Sequence, residues 1–120
     1  MNLKTLSLHR KKASLLMRKR RQLERITMGR VPMVAASFMP RRLKPGGPLA
    51  HYLSASIQGK SRHRYVRKAE VEYWRKRALA WQDFMKAMAS WVKVNRDIEK
   101  ELRAIGRLRC DPLPGGRTDA

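Results

Sequence analysis

Between Leu49 and Val66 the chain reads LAHYLSASIQGKSRHRYV, two strand-like runs that meet at Gln58-Gly59. Two such runs around a two-residue turn that contains glycine are typical of a β-hairpin. With this turn, the expected cross-strand pairs are Ile57 with Lys60, Ala55 with Arg62, Leu53 with Arg64, and Tyr52 with Tyr65. One face of the second strand then carries Lys60, Arg62 and Arg64, and the other carries Ser61, His63 and Tyr65. Since a lone hairpin is marginally stable in water, it must pack on helices or gain a third strand.

A basic helix is predicted before the hairpin, over about Leu3–Thr27, where the chain has no Pro or Gly. Leu16, Leu23 and Ile26 share one face, and Leu15 flanks it. Gly29 and Pro32 close the helix. The other faces carry Arg10, Lys11, Lys12, Arg18, Lys19, Arg20, Arg21 and Arg25. Because neighbouring like charges repel on a helix, this segment needs a packing partner, an anion, or both.

Two short segments connect the basic helix to the hairpin. Met33–Met39 is an apolar run between two prolines, and it fits either a strand or one buried helical turn. As a strand it could become the third strand of the sheet. Arg41 to Pro48 is expected to be a basic loop.

A long helix is predicted after the hairpin, from about Lys68 to Ile105, and it would be about 55 Å long. The helix carries a heptad-like stripe of apolar residues. Its first seam, at every seventh residue, is Trp74, Trp81, Met88, Asn95 and Leu102. The second seam is Phe84, Trp91, Ile98 and Ile105, and Ala78, Met85 and Val92 lie beside the two seams. The tryptophans could stack on unpaired bases or pack in a core, and heptad spacing favours the core. Asn95 could fix register in an oligomer, or bond to the sheet or the basic helix. Gly106 is expected to end the helix, and Asp111–Ala120 to be disordered.

These segments predict an α+β fold that is mainly α. The basic helix and the long helix form an antiparallel pair, and an antiparallel sheet of two or three strands lies between them in sequence and caps one end. Residues 1–106 are expected to form a single domain, and residues 107–120 a flexible tail.

The charge of the chain predicts a polyanionic partner. Lys and Arg total 29 against 9 Asp and Glu, which gives a formal net charge of +20. Residues 1–69 hold 18 basic residues and one acid, for +17, and residues 70–120 hold 11 basic and 8 acidic residues, for +3. The predicted phosphate-binding residues are the eight of the basic helix given above, together with Arg41, Arg42, Lys44, Lys60, Arg62, His63 and Arg64. Since most hydrogen bonds to DNA go to phosphate and sugar, backbone contact is expected more than base reading.

No enzyme motif, cofactor motif or metal-ligand spacing occurs in the sequence, so we expect a non-enzymatic protein without a cofactor. The single cysteine, Cys110, forms no internal disulfide and has no base near it in sequence. No apolar stretch approaches the ~20 residues of a membrane span. We expect a cytoplasmic protein, associated with the nucleoid if its ligand is DNA, and no membrane partner.

The stretch from Gly47 to about Leu102 resembles a domain-of-unknown-function family of small bacterial proteins, many of them encoded near transposase-type mobile elements. The resemblance is carried by Gly47-Pro48, Tyr52-Leu53-Ser54, Gly59-Lys60, Tyr65-Val66, Trp81, Phe84 and Asn95. It covers about half the chain and implies a helix–hairpin–long-helix fold and a mobile-element context, but no activity. Family members commonly carry a cysteine cluster before the first hairpin strand. This chain has Arg41–Gly46 there, so a zinc role is not carried over.

The sequence therefore predicts a protein that binds DNA, or less favourably RNA, through phosphate contacts, as an accessory or regulator of a mobile element. The alternative is a protein-interaction subunit, in which the long helix mediates self-association or docks onto a larger nucleoprotein complex.

Overall fold

The computed structural model describes residues 1–115, and it confirms an α+β fold that is mainly helical. The elements are helix α1 (Leu3–Thr27), strands β1 (Ser37–Arg42), β2 (Leu49–Ile57) and β3 (Lys60–Val66), a 3₁₀ turn (Lys68–Glu70) and helix α2 (Val71–Arg109). The strands form one antiparallel sheet in the order β1-β2-β3.

The hairpin has the predicted register, because its turn is set by local chemistry. Tyr52 pairs with Tyr65, Leu53 with Arg64, and Ile57 with Lys60. Gln58 and Gly59 have φ angles of 52° and 79°, and two consecutive positive values are the mark of a type I′ turn. The twist of this turn matches that of the flanking strands, so it fixes the pairing.

The third strand is present, but only the last three residues of the predicted segment Met33–Met39 belong to it. β1 begins at Ser37 and extends through Arg41 and Arg42, which were expected to lie in a loop. Pro40 is inside the strand, and this is tolerated because β1 is an edge strand, where a missing N–H need not break the ladder. Two residues before β1 contribute to the core instead, since Ala36 is buried there and Val34 packs against it. Val34 also donates its N–H to the carbonyl of Arg77 at 3.1 Å.

Both predicted ends of the long helix also need correction. The segment from Lys68 starts as a 3₁₀ turn, and regular α-helix begins only at Val71. Gly106 does not end the helix, which continues to Arg109; a helical glycine costs about 1 kcal/mol relative to alanine, too little to stop it. Pro112 follows shortly after this end, as is common beyond a helix C-terminus. Residues 116–120 of the predicted tail lie outside the described residues.

Backbone contacts divide the chain into two compact units, one of Glu24–Ala89 and one of Met1–Leu23 with the chain from Ser90 onward. The first unit holds the sheet and a small core in which Leu53 and Val66 of the sheet meet Ala36 and Ala78. Val34, Phe38 and Trp74 are among the partly buried residues packed against this core.

The second unit pairs the N-terminal part of α1 with the C-terminal part of α2. His9 lies 2.5 Å from Glu101, and Arg20 donates a hydrogen bond to Asn95 at 3.0 Å. The α1 residue number rises as the α2 number falls, so the two segments are antiparallel. Ala13, Val94 and Ile98 are buried in this unit.

The covered row of α2 changes its spacing along the helix. It passes through Val71, Trp74, Ala78, Trp81, Phe84, Ala87, Trp91, Val94, Ile98, Glu101 and Ile105. From Ala78 to Ala87 the row takes three successive steps of three residues, whereas a heptad seam alternates steps of three and four. Such a three-residue interruption is a stammer. Trp74, Trp81, Phe84, Trp91 and Ile98 of the predicted stripe lie in the row, while Met88, Asn95 and Leu102 lie outside it and are exposed in this chain.

Candidate nucleic-acid interface

Helix α1 presents its basic residues to solvent because its small and apolar residues face inward. Leu6, Ala13, Leu16 and Leu23 lie at successive steps of seven, three and seven residues, which keeps them on one face, and all four are buried or half-buried. Beyond Lys4 near its start, the exposed basic side chains of α1 are Arg10, Lys11, Lys12, Arg18, Lys19, Arg21 and Arg25.

These seven cations form two rows around the outer side of α1. Counted at about 100° per residue from Ala13, five of them lie about 60–160° round the helix in one direction. Lys12 and Lys19 lie about 100–120° round in the other direction. The seven lie between Arg10 and Arg25, a length of about 22 Å at ~1.5 Å per residue.

Arg20 is placed differently from the other predicted phosphate ligands of α1. Its position belongs to the inner row, where its side chain is half-buried and its guanidinium donates to Asn95. The same bond places Asn95 against the basic helix, one of the two roles predicted for it. Arg20 is therefore already occupied by a contact within the chain.

One residue of the predicted apolar face of α1 is on the outer side instead. Ile26 was expected on that face with Leu16 and Leu23, but it is exposed, and so is Leu15, which was expected to flank the face. Leu8, Leu15 and Ile26 form an apolar row that runs between the two basic rows, about 200–220° from Ala13. The outer side of α1 is therefore amphipathic as well as basic.

Lys60, Arg62 and Arg64, here called the basic row of β3, lie on the face of the sheet that carries the core. Arg64 is directly opposite Leu53, and side chains opposite each other in a sheet share a face. Val66 continues this face and is buried, whereas all three cations are exposed. The basic row therefore extends the apolar face beyond the part that the core covers.

A groove of about 850 Å³ lies along the free edge of β3 on this side. Leu53, Ala55 and Ile57 contribute apolar lining, and Arg62 and Arg64 contribute cations. Val34, which precedes β1, and Trp74 of α2 also line the groove. Charged side chains on an edge strand also oppose unwanted pairing with another chain, so the basic row has a structural role here too.

The opposite face of the sheet, here called the tyrosine face, consists of Ser37, Met39, Arg41, Ala50, Tyr52, Ser54, Ser56, Ser61, His63 and Tyr65. His63 was predicted to bind phosphate together with Arg62 and Arg64, but it lies on this face, and the two arginines lie on the opposite face of the sheet. Tyr52 and Tyr65 pack edge to face, with ring centroids 5.7 Å apart. The sequence could have identified this face, because an apolar residue at Val66 indicates that Lys60, Arg62 and Arg64 share the face that carries the core.

The three remaining predicted ligands surround the β1–β2 connection. Arg41 and Arg42 are consecutive in β1, so they point to opposite faces, and Arg41 is on the tyrosine face. Arg42 donates to the carbonyl of Gly47 at 2.5 Å, which ties the turn to the strand. Lys44 is exposed in that turn.

Among residues 1–115, no group of three or more His, Cys, Asp or Glu side chains is placed to hold a metal ion. No helix in this part of the chain is long and apolar enough to cross a membrane. Comparisons with protein-family models, curated proteins and solved structures find no match. The resemblance to the mobile-element family therefore stays a prediction that rests on the sequence.

Proposed function

We propose that this chain is a non-enzymatic nucleic-acid-binding protein, with DNA as the favoured ligand, that contacts phosphates through α1 and the basic row of β3. The observation that carries the proposal is the outer side of α1, where seven exposed cations lie within about 22 Å of helix. Each strand of duplex DNA carries one negative charge per ~3.4 Å, and the cations of α1 average one per ~3 Å, so this surface is opposite in sign to one strand and similar to it in charge density.

The proposed setting is an accessory or regulatory role at a mobile element, in the cytoplasm and at the nucleoid. It is supported by the resemblance of the Gly47–Leu102 stretch and by the concentration of charge in residues 1–69. A protein that holds a nucleoprotein complex together through phosphates needs no catalytic group or cofactor of its own.

The salt dependence of binding to duplex DNA tests this proposal. If about 6 phosphates are contacted, a plot of log K against log salt should have a slope near −5. An affinity that stays flat between low and moderate salt would contradict phosphate binding.

A matched pair of variants tests the surface. The first is Arg10→Gln with Arg18→Gln, Arg21→Gln and Arg25→Gln. The control removes the same charge from α2, at Lys76, Lys86, Lys93 and Arg96, all of them exposed. Since each lost contact reduces the slope by about 0.9, the α1 variant should lose up to ~3.6 and the control little. Equal losses would mean that only total charge matters.

The basic row of β3 has its own test. If Arg62 and Arg64 read bases, changing both to Ala should relax sequence preference. If they contact only phosphate, the same change should weaken binding uniformly across sequences.

An exposed apolar row on α2 favours a second candidate function, a protein-interaction subunit of a nucleoprotein complex. Met85, Met88, Val92 and Leu102 lie in this row at heptad-like spacing, and Asn95 falls between them. Sedimentation at two protein concentrations distinguishes the candidates. A monomer that binds duplex alone supports the first, and concentration-dependent assembly through this row supports the second.

A further inference from the structure

The centre of the tyrosine face is less buried than the centre of the opposite face of the sheet. β2 is the central strand, and on its covered side Leu53 is only 8% exposed. Its neighbours Tyr52 and Ser54, on the tyrosine face, are half-buried, and Tyr65 of the adjacent strand is 58% exposed. No residue of this face belongs to the core of the unit. The aromatic side chains therefore line an uncovered sheet surface.

The side chains of this face include two tyrosine rings, the guanidinium of Arg41 and small polar groups. Met39, Tyr52 and Tyr65 form one cross-strand row, and His63 lies opposite Ser54 in the next row. The two rings meet at an interplanar angle of 71°, so they cannot both lie parallel to one flat ligand. The pair stabilises the hairpin whatever else it does. That role does not require the ring of Tyr65 to stay exposed.

We propose that the tyrosine face binds unpaired nucleobases, with one base stacked on the ring of Tyr65. The inference rests on the proposed nucleic-acid function and adds a ligand class to it. Stacking requires a base that is free of the duplex, and an aromatic side chain on a sheet surface is a common platform for it. Arg41, on the same face, supplies positive charge for the backbone of the strand, and the net charge of +20 favours a polyanion over other flat aromatic ligands.

The test compares three probes on the full chain: a 16-nucleotide oligo-dT, an abasic strand of the same length, and a duplex of the same length. Tyr65→Leu removes the ring and keeps an apolar residue in the strand. Tyr65→Phe keeps the ring and is the matched control. We expect Tyr65→Leu to weaken oligo-dT binding by about 5- to 150-fold, the usual effect of losing one stacked base. Tyr65→Phe should bind as the parent does, and the abasic probe should bind both variants equally.

Two results would overturn the inference: unchanged binding of oligo-dT by Tyr65→Leu, or an equal loss on the abasic strand. If all three probes bind the parent chain equally well, the stacking site fails and the phosphate-binding proposal stands. If none binds, both fail.

Crosslinking on the unaltered protein gives an answer even if Tyr65→Leu does not fold. An oligonucleotide that carries 5-iodouracil should form its adduct at Tyr65 or Tyr52 on irradiation. Adducts confined to α1 or α2 would assign base contact elsewhere and overturn the inference.

Discussion

Two valines of α2 provide a test of which row of the helix is covered. Val94 is 3% exposed and Val92 is 41% exposed, although they are two residues apart on one helix. Replacing each with alanine removes the same two methyl groups and gives the same gain in helix propensity, about 0.5 kcal/mol. The difference between the two variants therefore measures burial alone.

The expected magnitude follows from the exposures. Each buried methyl group is worth about 0.8 kcal/mol, and a buried site that cannot collapse adds a cavity term. We expect Val94→Ala to lower the free energy of unfolding by about 1–2 kcal/mol, and Val92→Ala to change it by less than about 0.5 kcal/mol. Urea unfolding followed by circular dichroism at 222 nm measures both; with a slope near 2 kcal/mol/M, 1 kcal/mol moves the midpoint by about 0.5 M.

The reverse order would refute the reasoning. An unbroken heptad from Trp74 places Val92 beside the seam and leaves Val94 out of it, so that pattern predicts the larger loss at Val92. Equal losses would show that both sides of α2 are covered, for example in an oligomer. Repeating the titration at a tenfold higher protein concentration separates that case, because oligomer stability depends on concentration.

Five further substitutions, which address three local features, test the local arguments by the same unfolding titration. Gly59→Ala should destabilise the protein by about 1–2 kcal/mol, because an alanine at positive φ is strained. Gln58→Asn should be neutral or stabilising, because asparagine is favoured in a type I′ turn. A loss of stability in Gln58→Asn would contradict that turn. Leu53→Ala should cost about 2–4 kcal/mol, since it empties the centre of the sheet core, and a cost below about 1 kcal/mol would show that the core is not there. A double-mutant cycle of Arg20→Ala and Asn95→Ala should give a coupling of about 0.5–1 kcal/mol, because the bond lies at an exposed position, and zero coupling would mean that it contributes nothing.

The hairpin was predictable because its information is local. Gln58-Gly59 fixes the turn, the turn fixes the register, and the register places Arg64 opposite Leu53. The position of β1 was not predictable in this way, because it depends on a hydrogen bond between Val34 and a distant residue of α2. Pro40 also looked like a boundary, and only the knowledge that β1 is an edge strand removes that objection.

In the candidate site, too, the features set by local sequence were predictable and those set by long-range contacts were not. That α1 carries its cations outward follows from helical periodicity, and only Arg20 departs, because an inner position on a helix can be satisfied by a polar partner such as Asn95. The faces of the sheet required one more step, the assignment of Val66 to the core. Without that assignment, the basic row of β3 would be placed on the outer surface of the sheet, and the two tyrosines would be taken for core residues.

The inner row of α1 links binding to folding in the second unit. Ala13 is the one buried residue of α1, and His9 and Arg20 hold inner positions that a stable helix pair would fill with large apolar side chains. The outer rows add repulsion between like charges, which opposes the helix further. A polyanion that binds only the folded state removes that repulsion and adds stability by mass action, about 2.7 kcal/mol at a ligand concentration of 100 Kd. Because the cations proposed to hold phosphate are also those that destabilise α1 when it is free, occupancy of this surface and order of this helix should rise together.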